Sequence, residues 1–191
     1  YGDSGTNAAS NKQAHIKEEL TVSGGTVNIG SSQSDENMWS GTKHIQTVFG
    51  QGSTTGGATI TQTGGTLDIQ GKTAAVGNFS IEQSGGTMNV VTKTTKVTSN
   101  LANGPRLLLA SNSTNTIRQS GTAEGMTMSI GRIQAYSSSG KVSLHIQQES
   151  QSGTISLTKG VSFGSGSPNS SISLTGGGSV SLTGDYSGAV F

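Results

Sequence analysis

The stretch ITQTGGTLDI, residues 60–69, decides the fold class of this chain. Apolar or glutamine side chains alternate with small polar ones on both sides of a glycine pair, at Ile60 and Gln62 before it and at Leu67 and Ile69 after it. Alternation with a period of two is typical of a strand that buries one face. Because glycines adopt positive φ values at little cost, the stretch predicts a strand, a tight turn and a second strand.

The same pattern recurs along the chain in six copies. They are LTVSGGTVNI (20–29), ITQTGGTLDI (60–69), IEQSGGTMNV (81–90), IRQSGTAEGMTMSI (117–130), IQQESQSGTISL (146–157) and ISLTGGGSVSL (172–182). The first three copies are equal in length, and the others carry extra residues at the turn. The predicted turn glycines are Gly24, Gly25, Gly64, Gly65, Gly85, Gly86, Gly176 and Gly177.

A ten-residue unit with four inward side chains cannot bury a core alone, whereas stacked units can place like residues over one another. The pattern therefore predicts an all-β fold, and within it a β-solenoid or β-helix built from irregular strand-glycine-strand repeats. Four copies carry glutamine at one inward position, which predicts a ladder of hydrogen-bonded amides. The ladder residues are Gln62, Gln83, Gln119 and Gln148. The alternative is that these glutamines face solvent on a sheet of shifted register.

The spacing of the turns leaves a second architecture open. The first turn glycines of successive copies are separated by 40, 21, 36, 32 and 23 residues. A glycine pair can close a hairpin as well as an arch between stacked sheets, so a β-sandwich of the pilin type, joined by strand exchange, is the alternative fold. In either case we expect residues 1–15 to form an extended N-terminal arm and residues 16–191 a single repeat-built domain.

The composition agrees with a β-protein that lacks reactive centres. Hydrophobic residues make up 29% and charged residues 11% of the chain, which also contains 30 glycines. Such a sequence disfavours helices, because glycine and serine weaken them and threonine is β-branched. The chain has no cysteine, which excludes disulfides and thiolate metal sites. No run of 18 apolar residues predicts a transmembrane helix.

No motif indicates catalysis or cofactor binding. The histidines, His15, His44 and His145, are isolated in the sequence, and the adjacent Asp35 and Glu36 would point to opposite sides of an extended chain. The glycine-rich turns lack the lysine and helix of a phosphate loop, and no basic cluster suggests nucleic acid. We therefore expect no enzymatic activity, no metal, no cofactor and no nucleic-acid partner.

Two families are similar to parts of the repeat. The Ile-x-Gln-x-Gly segments at 60–64, 81–85 and 117–121 resemble the curlin repeat of bacterial extracellular amyloid fibres. Segments such as SGGTVNI (23–29) and GGTLDI (64–69) are similar to repeats of autotransporter passenger domains, which form β-helices on bacterial surfaces. The resemblance implies a secreted or cell-surface protein that acts through its assembly.

These observations lead to two expected functions. The first is the structural subunit of an extracellular filament, pilus or biofilm-matrix fibre, whose partner is another copy of itself, joined by strand stacking or strand exchange. The second is a surface adhesin or carbohydrate-binding β-helix, whose partners are glycans or other surface components. The candidate assembly contacts are Trp39, Leu107, Leu108, Leu109 and Phe191. The apolar run 107–109 predicts either a strand buried on both faces or an interface with another subunit.

Overall fold

The computed structural model describes residues 14–30, 47–50, 57–92, 106–135, 140–163 and 170–187. In these ranges the chain forms nineteen strands and no helix. The strands are β1 (Ala14–Ile16), β2 (Glu19–Val22), β3 (Thr26–Ile29), β4 (Thr47–Phe49), β5 (Ala58–Gln62), β6 (Thr66–Ile69), β7 (Thr73–Ala75), β8 (Phe79–Gln83), β9 (Thr87–Val90), β10 (Leu107–Leu109), β11 (Ser113–Gln119), β12 (Thr127–Ile130), β13 (Ile133–Ala135), β14 (Val142–Gln148), β15 (Thr154–Leu157), β16 (Gly160–Ser162), β17 (Ser171–Gly176), β18 (Ser179–Leu182) and β19 (Asp185–Ser187).

The strands belong to three sheets that are visited in strict rotation. Sheet A has the order β1-β4-β7-β10-β13-β16-β19, sheet B the order β2-β5-β8-β11-β14-β17 and sheet C the order β3-β6-β9-β12-β15-β18. All the pairings are parallel. The chain therefore winds as a three-sided solenoid in which three consecutive strands make one rung. The prediction of an all-β solenoid is confirmed, and the alternative of a β-sandwich is wrong.

Each copy of the repeat supplies one strand of sheet B and one of sheet C, with the glycine turn at the corner between them. The two longest intervals between turns arise between the end of a sheet C strand and the next sheet A strand, and others arise within enlarged corners and between sheets A and B, as from Ala135 to Val142. The strand β3 ends at Ile29 and β4 begins only at Thr47, whereas β6 ends at Ile69 and β7 begins at Thr73. The strands of each rung pair directly with the strands of the preceding rung. The connections between strands therefore vary in length without changing the register of the pairing.

The core is a set of columns in which like side chains from successive rungs lie over one another. Register pairing places Ile60, Ile81, Ile117 and Ile146 in one column of sheet B, and all four are at most 2% exposed. Burying an isoleucine side chain stabilises a fold by about 1.5–3 kcal/mol, so each added rung strengthens the column. The corner between sheets A and B is filled by Phe49 and Phe79, whose ring centroids lie 5.3 Å apart.

The first strand crosses the domain boundary expected from the sequence. β1 (Ala14–Ile16) pairs in parallel with β4, so the expected division between residues 15 and 16 falls inside a strand of the solenoid. The preceding residues of the expected arm, 1–13, lie outside the described ranges.

Candidate functional site

The glycine corners are the places where neighbouring rungs approach most closely. Gly65 and Gly86 have φ values of +70° and +80°, which disfavour any other residue. Gly64 lies outside the left-handed region, yet a Cβ on it would lie 2.7 Å from the carbonyl oxygen of Ser23 in the rung before. A Cβ on Gly85 would collide with the carbonyl of Thr63 in the same way. These corners therefore need glycine because backbone packs directly on backbone.

Gly176 shares this interior pattern, because a Cβ on it would lie 2.0 Å from the carbonyl oxygen of Gln148 in the rung before, whereas the other three predicted turn glycines do not. Gly25 and Gly176 have φ values of +68° and +105°. A Cβ on Gly177 would lie 3.0 Å from the side-chain amide nitrogen of Gln151, which can move. Gly24 belongs to the first rung, has no positive φ, and a Cβ on it would meet nothing within 4 Å. Among the described residues, then, nothing in the chain itself requires glycine at position 24.

We expect Gly64→Ala to lower the free energy of unfolding by about 1–3 kcal/mol, because the added methyl forces the two rungs apart. Gly24→Ala is the matched control at the equivalent corner of the first rung, and its effect should stay within about 0.5 kcal/mol. Chemical denaturation followed by circular dichroism measures both. Equal losses in the two variants would contradict this account of the corners.

The four predicted ladder glutamines lie inside the solenoid, next to the glycine corner. The Nε2 of Gln83 donates to Oε1 of Gln62 at 3.1 Å, and the Nε2 of Gln119 donates to Oε1 of Gln83 at 2.7 Å. The Nε2 of Gln148 donates in turn to Oε1 of Gln119. All four residues are at most 1% exposed. The amides thus form a continuous chain of hydrogen bonds across four rungs, with no side chain turned to solvent.

Each amide also ties sheet B to sheet C. Besides the ladder bond, the Nε2 of Gln83 donates to the carbonyl of Gly86 at 3.0 Å and to the carbonyl of Thr127, in the following rung, at 2.9 Å. Gln62 makes the equivalent bond to Thr87 at 3.0 Å. The carbonyl of Gly86 also accepts a hydrogen bond from the backbone N–H of Thr127 at 3.2 Å, so the amide adds a second donor at the corner and links the two sheets through its side chain.

The ladder is closed at both ends. In the register of sheet B, Val22 lies next to Gln62 in the first rung, and Gly176 lies next to Gln148 in the last. The terminal Oε1 of Gln148 accepts a hydrogen bond from the backbone N–H of Ser150 at 3.0 Å. The ladder therefore fixes the register of the interior rungs and presents no amide to a ligand or to another subunit.

We expect Gln119→Leu to lower the free energy of unfolding by about 1–3 kcal/mol, since Oε1 of Gln83 then loses its donor inside the core. The matched control is Gln147→Leu, at a half-buried outward position on the neighbouring strand, which should change stability by less than about 0.5 kcal/mol. Urea denaturation of both variants provides the test. A Gln119 variant as stable as the control would show that the ladder does not contribute to stability.

Sequence reasoning missed a second set of corner side chains, between sheets A and B. The Oδ1 of Asn78 accepts a hydrogen bond from the backbone N–H of Thr114 at 2.9 Å, and the Oδ1 of Asn112 accepts one from the N–H of Lys141 at 3.2 Å. Asn78 lies three residues before Ile81, whereas Asn112 lies five before Ile117. Because the two asparagines precede their repeats by different numbers of residues, the sequence pattern did not reveal that both accept a backbone hydrogen bond at this corner.

A column of cations was also missed. Lys72, Arg106 and Arg132 each directly precede a strand of sheet A, and the pairing of Thr73 with Leu107 and of Leu107 with Ile133 brings them into one column. Burial, and secondarily the neighbouring Arg106, lowers the pKa of Lys72 to about 8. Burial, and secondarily Arg132, also lowers the pKa of Arg106, whose Nη1 donates to Oε1 of Gln134 at 2.9 Å. Their wide separation in sequence concealed this cluster.

The predicted assembly contacts are only partly in the described ranges. Leu107 and Leu109 form part of the core, Leu108 lies on the opposite face of sheet A, and all three are at most 5% exposed. The strands β7 and β13 pair with the two edges of β10, and the low exposure of the three leucines agrees with a strand buried on both faces. Their role in assembly stays a prediction. Trp39 and Phe191 lie outside the described residues.

The two ends of the solenoid are where apolar and backbone groups remain open. The column of Ile60 and Ile146 ends in Leu20, which is only partly buried, and in Leu174, which is 42% exposed. The inward residues of sheet C in the first and last rungs are likewise only partly buried. They are Val27, Ile29, Val180 and Leu182. Within the described ranges, the strands β1–β3 and β17–β19 pair on one side only.

Metal ligation finds no support in the described part of the chain. It contains no group of three or more His, Cys, Asp or Glu residues placed to hold a metal ion. In the same ranges, no helix is present that could cross a membrane. The open ends are therefore the strongest candidate functional site.

Comparison with protein-family models, with curated proteins and with solved structures finds no match to this chain.

Proposed function

We propose that this chain is the structural subunit of an extracellular filament, in which copies join by stacking the terminal rungs of their solenoids. The observation that supports the proposal is the pair of open ends. Each end combines a row of edge strands with partly exposed members of the core columns, Leu20 at one end and Leu174 at the other. A free strand edge is a template for pairing with another chain.

Two of the three strands at the C-terminal edge, β17 and β18, lack the charges and prolines that usually prevent such pairing, whereas β19 contains Asp185. Natural edge strands are protected by charges, proline, bulges or a covering element. β17 reads SISLTG and β18 reads SVSL, so neither contains a charge or a proline. No helix covers either end in the described ranges. The edges of β17 and β18 therefore have the chemistry of a surface that accepts further strands.

Solenoids also suit filaments for a general reason. Each repeat contacts only its neighbours, so a stack can be extended without altering the rungs already formed. Here the interior rungs already bury one another through parallel pairing and in-register columns, and a second copy would continue the same contacts. The likeness of the Ile-x-Gln-x-Gly segments to curlin repeats adds support for an extracellular fibre.

We expect Leu174→Lys to prevent filament formation, because a charge would replace the most exposed apolar residue in the terminal column. Thr175→Lys is the control, since Thr175 is exposed on the outer face of the same strand. Negative-stain electron microscopy and sedimentation velocity of the full chain near neutral pH measure assembly. Wild-type protein that remains monomeric at high concentration would reject the proposed function, and filaments of Leu174→Lys would reject the role of this end.

One observation favours the second candidate, a glycan-binding surface. The outer face of sheet C carries a hydroxyl in every rung at the same register position. The column consists of Thr26, Thr66, Thr87, Thr127, Thr154 and Ser179. None of these hydroxyls makes a hydrogen bond within the described residues. Thr26, Thr127 and Ser179 are exposed and the other three are partly exposed, so the column offers a regular array of hydroxyls to a repeating neutral polymer.

This second function predicts saturable binding of soluble protein to neutral polysaccharides on a glycan array. Thr127→Lys, on the outer face of sheet C, should abolish that binding, whereas Thr116→Lys, on the outer face of sheet B, should preserve it. Absence of binding across the array, or equal loss in the two variants, would count against a glycan site on this face.

A further inference from the structure

We propose that a groove at the corner between sheets A and B binds an acidic sugar, with the ammonium group of Lys141 as the partner of the sugar carboxylate. The groove has a volume of about 280 Å³ and is lined by Asn112, Ser113, Thr114, Lys141 and Ser143. It lies on the side of the solenoid, where β11 pairs with β14, and not at either open end. The site is therefore separate from the filament contacts and from the outer face of sheet C.

The register of sheet B brings the lining together from two neighbouring rungs. β11 pairs in parallel with β14, so Thr114 lies beside Ser143. Just before the same two strands, the backbone N–H of Lys141 donates to Oδ1 of Asn112 at 3.2 Å. These two residues are 29 positions apart in the sequence. The groove is thus a product of the pairing between rungs.

The hydroxyl of Ser143 is the group that most clearly indicates a ligand. Val142 and Leu144 belong to the core, so the alternation of β14 turns Ser143 to the outer face, on which the groove lies. Ser143 is nevertheless only 9% exposed, and its hydroxyl makes no hydrogen bond within the described residues. Hydroxyls that are largely removed from water normally have a partner, and in this groove a ligand can supply it.

Two further groups of the lining have unused hydrogen-bonding capacity. The amide of Asn112 accepts through Oδ1, but its Nδ2 donates no hydrogen bond within the described ranges. Thr114 is exposed, and its hydroxyl is likewise unbonded in that part of the chain. Ser113 differs, because its Oγ donates to the carbonyl of Ala110 at 2.6 Å. The groove therefore offers two hydroxyls and one amide N–H to a ligand.

The backbone of the corner fixes the amide before any ligand binds. Asn112 has a φ of +57°, in the left-handed region that asparagine tolerates better than most residues. Across from it, a Cβ on Gly140 would lie 2.9 Å from Oδ1 of Asn112. Glycine at this position leaves room for the amide to bond to the backbone of Lys141. A group that is held in place in the free protein loses little conformational freedom on binding.

The neutral groups of the lining match a sugar. Hydroxyls both donate and accept, and an amide nitrogen donates, which complements the hydroxyl groups of a carbohydrate. Among the described residues, no apolar side chain lines the groove. Sites for drug-sized ligands have volumes of about 300–1,000 Å³, so this smaller groove suits a single sugar unit.

The charge of the lining indicates that the sugar is acidic. Lys141 is the one charged residue among those that line the groove, and it is exposed. An ammonium group forms its strongest hydrogen bonds with an ionised acceptor. A phosphate monoester carries about −1.5 to −2 charges at pH 7, whereas a sugar carboxylate carries a single charge, which the one lysine balances. The structure thus favours a hexuronate over a phosphorylated sugar.

Saturation-transfer difference NMR of the full chain tests this assignment with methyl glucuronide and neutral methyl glucoside as probes, which differ in the carboxylate. We expect the wild-type protein to bind the glucuronide about tenfold more tightly, because a hydrogen bond to a charged group is stronger than a neutral one. High salt should reduce the difference, since it screens exposed charges. Equal affinity for the two probes, or binding of neither, would overturn the assignment.

Variants separate the charge from the hydroxyls. Lys141→Met should abolish the preference for the glucuronide, and Lys141→Arg should retain it. Ser143→Ala should weaken both probes to a similar extent, because it removes a hydroxyl and no charge. The matched controls are Lys17→Met, at an exposed lysine of the first rung, and Ser129→Ala, at a half-buried serine of sheet C. A preference that survives in Lys141→Met, or an equal loss in Lys17→Met, would overturn the role of Lys141.

The state of each variant is measured in parallel. Circular dichroism and thermal unfolding report whether the solenoid is retained, and the lysine variants decide the question if Ser143→Ala does not fold. Because the groove lies on the side of the solenoid, Lys141→Met should assemble as the wild-type protein does. Filaments that bind no glucuronide would reject the groove alone, whereas monomers that bind it would reject the filament alone.

Discussion

The structure depends on one constraint, the close approach of backbone to backbone where sheets B and C meet. Parallel strands lie about 4.8 Å apart, and a corner that turns within that spacing leaves no room for a Cβ. Gly64 and Gly85 satisfy the constraint by lacking a side chain, and Gly65 and Gly86 do so by their positive φ as well. Because the corners fix the position of each rung, equivalent residues of successive rungs lie over one another. The isoleucine columns and the amide ladder follow from this shared register.

The amide ladder shows how this fold combines polarity with burial. A polar side chain in the core is costly unless it is fully bonded. The repeated position of Gln62, Gln83 and Gln119 provides each amide with a partner in the adjacent rung and with a carbonyl at the corner. Because the ladder ends before the terminal rungs, the ends differ chemically from the interior: they offer backbone edges and apolar side chains, but no amides.

This difference between interior and ends connects the fold to its proposed function. The interior rungs pair their backbone with a rung on each side and bury the apolar side chains of the core columns. The terminal rungs have satisfied only half of theirs, as the exposure of Leu174 shows. In a protein whose repeats contact only their neighbours, the natural partner for a half-satisfied rung is another rung.

The sequence by itself determined the repeating unit, its strands in sheets B and C, the glycine corners and the position of the glutamines, because alternation and turn chemistry are local properties. It also favoured stacking, since four inward side chains cannot form a core. Only the tertiary structure decided that the fold is a solenoid and not a sandwich, because a glycine pair serves a hairpin and an arch equally well. The short strands of sheet A, the column of Lys72, Arg106 and Arg132, and the enclosure of Leu107–Leu109 were likewise decided by the register between rungs. That register pairs residues that are separated in the sequence by connections of variable length. No periodicity in the sequence therefore reveals it.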